Sequence, residues 1–163
     1  MSIIIVDSYT DAGTYGHLYS SPPDVQTITK KGQSFHNENK IILDSCKFRL
    51  CKLGTPVGSI NAALFAHTGT FGTNSKPTGT ALATSSSYNV STIVDYQFFT
   101  FEFTGNNRYV MEKDTYYVIV IEYFDPTETN TGHILVAENQ TYPTEHEGNP
   151  CTYRETATPY WSV

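Results

Sequence analysis

The sequence is short of charge. Asp, Glu, Lys and Arg make up 16% of its 163 residues, against roughly 25% in ordinary globular proteins. The balance is a formal −6, and the ten basic residues are scattered, with Lys30-Lys31 the sole adjacent pair. A phosphate-binding face needs clustered Lys and Arg, so nucleic acid is not an expected partner. No apolar run approaches about 18 residues, so no membrane-inserted helix is expected either. Helical periodicity is absent. So are Gly-x-Ser-x-Gly, His-Glu-x-x-His, a phosphate loop and Gly-x-Gly-x-x-Gly, and catalysis is not expected. Cys46, Cys51 and Cys151 make an odd count without a Cys-x-x-Cys, which fits neither a disulfide scaffold nor a zinc site. Cys46 and Cys51 fall on opposite faces of one expected strand and cannot pair there; a bridge from either to Cys151 stays open.

What is abundant is Thr, Tyr and Phe, and aromatic residues reach 13%. That mix suits twisted antiparallel sheets. The stretch Thr115–Tyr123, TYYVIVIEY, organises the rest. Tyr117, Ile119 and Ile121 share one parity, and Tyr116, Val118 and Val120 the other. Both parities are apolar, so the spacing predicts a strand in the middle of a sheet, buried on both faces. Lys40–Leu53 alternates, with Ile42, Cys46, Phe48 and Leu50 on the buried side. Ser59–His67 follows a Gly-Pro turn as the next strand. Tyr96–Thr104 sets Phe99, Phe101 and Phe103 on one face. Ile3–Val6, Thr80–Thr84, Tyr109–Met111, Gly132–Glu138, Cys151–Tyr153 and Pro159–Val163 are shorter candidates, and Lys31–Ser34 reads as a turn leading to Phe35. About eight or nine strands with turn signals every 8 to 12 residues indicate an all-β antiparallel sandwich. The chain is one domain: residues 1–31 an N-terminal strand and loop, 32–138 the core, 139–163 a C-terminal segment.

Candidate chemistry is sparse. The five histidines stand apart in sequence, and His146 between Glu145 and Glu147 reads as a solvated loop. Asp7, Asp11, Asp44, Asp125 and Glu128 form no compact calcium loop, so neither metal nor cofactor is expected. Glu102 and Glu122 are lone acids of otherwise uncharged strands. A glycosidase pair is conceivable there, but the plainer reading is that each faces water or meets a basic residue such as Lys47 or Arg49 across the sheet. Loop aromatics could stack on sugar rings, and Tyr15, Tyr19, Phe71, Tyr142, Tyr160 and Trp161 are the platform candidates, although capping of the sandwich ends competes with that role.

Several runs together resemble a known family. They are GQSFH at Gly32–His36, ILDSCKFRLCKLGTPVGSINAALFAHTGT at Ile42–Thr70, KPTGTALATS at Lys76–Ser85, and the closing DTYYVIVIEY at Asp114–Tyr123. They are similar to a jelly-roll module found in phage and viral structural proteins and in choice-of-anchor surface domains. The resemblance implies a jelly-roll sandwich and a non-enzymatic role as a capsid decoration or an appendage subunit. It places the protein on a virion or extracellular surface, with other copies of itself or other virion proteins as partners. A carbohydrate-binding module or adhesin, with glycans as partners, is the alternative. The low charge suits an exterior surface. Met1–Asp11 carries no basic n-region, so either the protein is not exported by that route or a leader has already been removed, and a particle protein released by assembly and lysis needs none. Such domains close with a further apolar strand, whereas this chain ends at Tyr160-Trp161-Ser162-Val163. The expectation is an incomplete sheet edge, filled by Ile3, Ile4, Ile5 and Val6 of a neighbouring copy.

Overall fold

The computed structural model describes residues 14–20, 27–94, 96–124, 132–138 and 148–163; Ile3–Val6 lies outside them. The strands are β1 (Thr14–Leu18), β2 (Thr27–Asn37), β3 (Ile41–Leu43), β4 (Ser45–Gly54), β5 (Ser59–Thr68), β6 (Lys76–Thr84), β7 (Tyr88–Asn89), β8 (Gln97–Glu102), β9 (Tyr109–Met111), β10 (Thr115–Phe124), β11 (Gly132–Glu138), β12 (Pro150–Glu155) and β13 (Tyr160–Ser162). One sheet runs β1-β11-β4-β8. The other runs β13-β12-β2-β10-β5-β6, with β7 added to β5. All pairings are antiparallel. Apart from the β5–β6 hairpin, successive strands of the body lie in opposite sheets, so that β1, β11, β4 and β8 face β2, β10, β5 and β6. That is the double Greek key of a jelly roll. The strand count exceeds the expected eight or nine because β3, β7, β9, β12 and β13 are additions to this eight-stranded body.

Between the sheets lies the main core. Leu18, Leu50, Phe101, Phe103, Ile134 and Val136 come from the four-stranded side, and Phe35, Ile60, Leu64, Tyr117, Ile121 and Tyr123 from the other. The expected inward row of β8 is there, with Phe101 and Phe103 fully buried. β10 sits between β2 and β5, as its two apolar parities require. Its odd residues enter the main core. Its even residues Val118 and Val120 pack with Cys151, Phe65 and Trp161 in a second apolar cluster on the far side of the sheet.

That second cluster exists because the larger sheet rolls. Its two edge strands, β13 and β6, come within 8 Å of each other, Cα to Cα. At one end of the roll Ser75, which leads into β6, and Asn149, which leads into β12, clasp each other. The Ser75 amide donates to Asn149 Oδ1 (3.0 Å) and Asn149 Nδ2 donates to the Ser75 carbonyl (3.1 Å).

Three boundary expectations are corrected. Lys31–Ser34 is no turn: β2 runs straight through it. Gly32 is needed for space, because a Cβ there would lie 3.0 Å from both Cys151 Sγ and Val120 Cγ2 and 3.1 Å from Val118 Cγ1. Lys40–Leu53 is two strands, broken at Asp44, whose carboxylate holds Arg108 at 2.6 Å; β3 turns aside to pair with β9 at the end of the sandwich. Tyr96 is outside β8, in the left-handed region at φ 49°, a rare place for a bulky side chain.

The sheet edges are mostly occupied. β12 and β13 extend the large sheet beyond β2, and Tyr19 bridges to Ile28 at the corner between β1 and β2. The free side of β8 is blunted. Its Thr100 carbonyl accepts the Tyr88 hydroxyl (2.8 Å) and its Glu102 carbonyl accepts the Ser86 amide (3.0 Å). The two sheets are also joined by charge: Lys31 Nζ of β2 meets Glu138 Oε1 of β11 at 2.5 Å, with both side chains mostly buried, and also donates to Thr152 Oγ1 of β12 (3.3 Å). Gly16 of β1 leaves the space for this pair, since a Cβ there would fall within 2.4 Å of both partners.

Two outcomes follow for denaturant unfolding. Gly32→Val is expected to lower stability by about 1–3 kcal/mol through overpacking, with part of the loss recovered by adding Cys151→Ala. Lys31→Met alone is expected to cost about 3 kcal/mol by stranding Glu138, and Lys31→Met with Glu138→Leu to cost much less. Equal losses for the single and double variants would show that the pair is not the source.

Candidate binding site

The rolled face of the large sheet carries one ordered row. Asn61 of β5 is opposite Glu122 of β10, Glu122 is opposite Lys30 of β2, Lys30 is opposite Tyr153 of β12, and Tyr153 is opposite Trp161 of β13. Directly opposed residues on one face have neighbouring side chains. Lys30 Nζ lies 2.7 Å from Glu122 Oε1 and 5.4 Å from the Tyr153 ring centroid. The Tyr153 and Trp161 rings are 5.3 Å apart at 54°. Glu122 is 7% exposed, while the other four are half-buried. Asn61 Oδ1 is buried without a hydrogen-bond partner among the described residues. At the foot of this row the Thr29 hydroxyl donates to Glu155. Glu122 therefore meets a basic residue across the sheet, as expected from the sequence, with Lys30 as the partner, and Glu102 is exposed.

The opposite end of the roll holds an aromatic stack. Tyr116 lies against His36 of β2 (4.7 Å, 30°) and against Phe71 of the β5–β6 loop (4.5 Å, 35°), with His67 5.6 Å away. His36 and Phe71 come from opposite sides of β10, and Tyr116 between them stays 41% exposed. Ser75 Oγ sits 2.9 Å from His67 Nε2. Burial pulls the His67 pKa below its ordinary value.

The outward face of the four-stranded sheet is a third surface. Tyr15, from edge strand β1, and Tyr96, just before edge strand β8, touch edge to face at 5.0 Å. Two strands separate them, a span of about 14 Å at the usual strand spacing. The rings therefore meet over β11 and β4, where Cys51, Leu135 and Ala137 are buried on the outward side. Leu53, Tyr96 and Phe98 stay 41%, 44% and 55% exposed around them. His17 and His133 share this face with ring centroids 4.9 Å apart, and His133 Nε2 is buried without a partner. The His133 pKa is lowered, first by burial and then by the neighbouring His17.

The six sequence candidates for a glycan platform thus do not converge. Tyr15 and Tyr19 belong to β1 and its continuation, Phe71 to the Tyr116 stack, and Tyr160 and Trp161 to β13; Tyr142 lies outside the described residues. Trp161 alone joins other polar and aromatic groups of the row. Tyr153, Lys30 and Asn61 carry no sequence signal of their own, and Tyr116, His36 and His67 meet only through register.

Glu102 and Glu122 point away from the core on different sheets, on opposite outer faces of the sandwich. They cannot flank one glycosidic bond. All three cysteines are free, with Cys51 and Cys151 in different sheets. Burial pushes the Cys151 thiol up to about 12 and the Cys46 thiol up as well, so neither is a nucleophile at neutral pH. Among the described residues no three His, Cys, Asp or Glu side chains gather as a metal ion would require; His146, Asp7, Asp11, Asp125 and Glu128 lie outside them. Comparison with protein-family models, with curated proteins and with solved structures gives no match, so the likeness carried by Gly32–Tyr123 gains no support from them.

The lowered histidines set the acid side of stability. The unfolded chain takes up protons at His67 and His133 near pH 6.5, while the folded chain resists until lower pH. Stability is therefore present above that range and falls as pH drops. Urea midpoints are expected to decline between pH 7 and pH 5.5, and a His67→Gln, His133→Gln variant is expected to flatten that decline. An unchanged slope in the variant would assign the decline to other groups.

Proposed function

We propose that this protein is a non-enzymatic structural subunit of a virus or phage particle, a capsid decoration or an appendage subunit, that works by protein–protein contact on the particle exterior. The observation that carries this reading is the outward face of the four-stranded sheet. Phe98, Tyr96 and Leu53 are exposed there around an arch of two tyrosines, and apolar groups gathered on one face favour association. With the Thr100 and Glu102 carbonyls of β8 already bonded, contact through this face is favoured over strand addition there. Low charge and the jelly-roll body agree with an exterior protein.

A second reading, a carbohydrate-binding module or adhesin, is favoured by one specific observation: the Tyr153–Trp161 ring pair beside a carboxylate, an ammonium and an amide on the rolled face.

Light scattering and negative-stain imaging of the purified protein test the first reading. The wild-type chain is expected to form defined oligomers at micromolar concentration. Phe98→Glu, at an exposed position, is expected to dissociate them while shifting stability by no more than about 0.5 kcal/mol. A wild-type chain that stays monomeric and binds no particle protein overturns the reading.

A further inference from the structure

We propose that the cross-strand row Asn61–Glu122–Lys30–Tyr153–Trp161 is a binding site for a linear, uncharged oligosaccharide. The inference rests on the carbohydrate reading and gives that reading its site and its class of ligand.

Register is the first support. Five residues from five neighbouring strands stand in a single line across the rolled face. Four strand spacings make the row about 19 Å long measured along the curved sheet, and the roll that brings β13 to β6 shortens its end-to-end span, so the ligand that fits is a short oligosaccharide following the curve. The line is also graded. It runs from amide through carboxylate and ammonium to two aromatic rings, so its polar half and its stacking half are separate.

Hydrogen-bond chemistry is the second. Asn61 Oδ1 is buried and has no donor among the described residues, a state that costs about 1–3 kcal/mol unless something donates to it. Glu122 gives one oxygen to Lys30, and an ionised carboxylate has acceptor sites to spare. Lys30 has three donor hydrogens. A sugar hydroxyl both donates and accepts, so neighbouring hydroxyls can donate to Glu122 and, once the half-buried Asn61 side chain turns outward, to Asn61 Oδ1, and can accept from Lys30. At the other end, where Lys30 Nζ lies over the Tyr153 ring and Trp161 rests on the second core, the half-exposed remainder of the two rings is what would meet the C–H face of a sugar.

Charge narrows the class. Lys30 and Glu122 neutralise each other at 2.7 Å, which leaves the row without net charge. A phosphate or a sulfated sugar would have to break that pair to gain a cation. The chain as a whole carries −6, which further disfavours an anionic ligand.

The row has a built-in control. Asn61 Oδ1 has no partner among the described residues, so Asn61→Ala removes no bond of that oxygen to them and is expected to keep or slightly raise stability. A residue held only for folding would not behave that way. Trp161 packs on the second core, so its truncation confounds binding with folding and is not the variant to use.

The test is an array of linear neutral glucose, mannose, galactose and xylose oligosaccharides, followed by calorimetric titration with the sugar that gives the strongest signal. The wild-type chain is expected to bind. Asn61→Ala and Glu122→Gln are each expected to weaken binding tenfold or more, with Asn61→Ala at unchanged or higher unfolding midpoint. Phe71→Ala, at the far end of the roll, is expected to leave affinity within twofold. Binding that survives in Asn61→Ala, Glu122→Gln and Tyr153→Ala overturns the row while leaving the carbohydrate reading standing. An array on which the wild-type chain binds no sugar overturns both.

Discussion

A strand that is apolar on both faces must find cover on both, and β10 imposes that demand on the whole molecule. One face is met by the four-stranded sheet, as in any sandwich. The other face cannot be left to water, because Val118 and Val120 are fully buried. The large sheet answers by rolling over its own outer side, so that Trp161 and Cys151 from one flank meet Phe65 from the other. Gly32 makes this possible by vacating the space in which those side chains touch. The Ser75–Asn149 clasp holds the roll at one end. The other end is left to polar and aromatic groups. The proposed sugar-binding row is thus a by-product of how the second core closes.

A second constraint runs between the sheets. Lys31 faces inward from β2 and finds Glu138 on β11. A buried pair of this kind contributes little over well-packed apolar residues, yet breaking it is costly. Its effect is to pin one relative placement of the two sheets. Gly16 belongs to the same device, for any side chain there would collide with the pair. Two glycines, one in each sheet, therefore serve opposite ends: Gly16 makes room for charge and Gly32 for hydrocarbon.

Much of the fold was legible in the residues themselves. The apolar parities of Thr115–Tyr123 placed it centrally, and the Phe99–Phe101–Phe103 alternation marked the inward face of β8. Gly32 misled, because a glycine between polar residues looks like a turn when the neighbours that need its space lie some 90 to 120 positions away. Tyr96 misled in the opposite sense: an aromatic at the head of an aromatic run looks like strand, yet its backbone is left-handed. The candidate site was the least legible part. Its five members are scattered from position 30 to position 161 and become a row only through strand register. A slip of one residue would send any of them to the other face. Composition and periodicity hold no record of register between distant strands, so aromatic residues could be counted but not grouped.

The two bonded carbonyls on the free side of β8 have a consequence for life at high density. A protein that coats a surface meets its own copies at a local concentration far above that of free solution. Under such crowding an unsatisfied strand edge is a template, and chance encounters between edges grow into fibrils. Tyr88 and Ser86 occupy acceptors that an incoming strand would need. In the proposed coat, neighbours can then press face against face without strand addition at this edge.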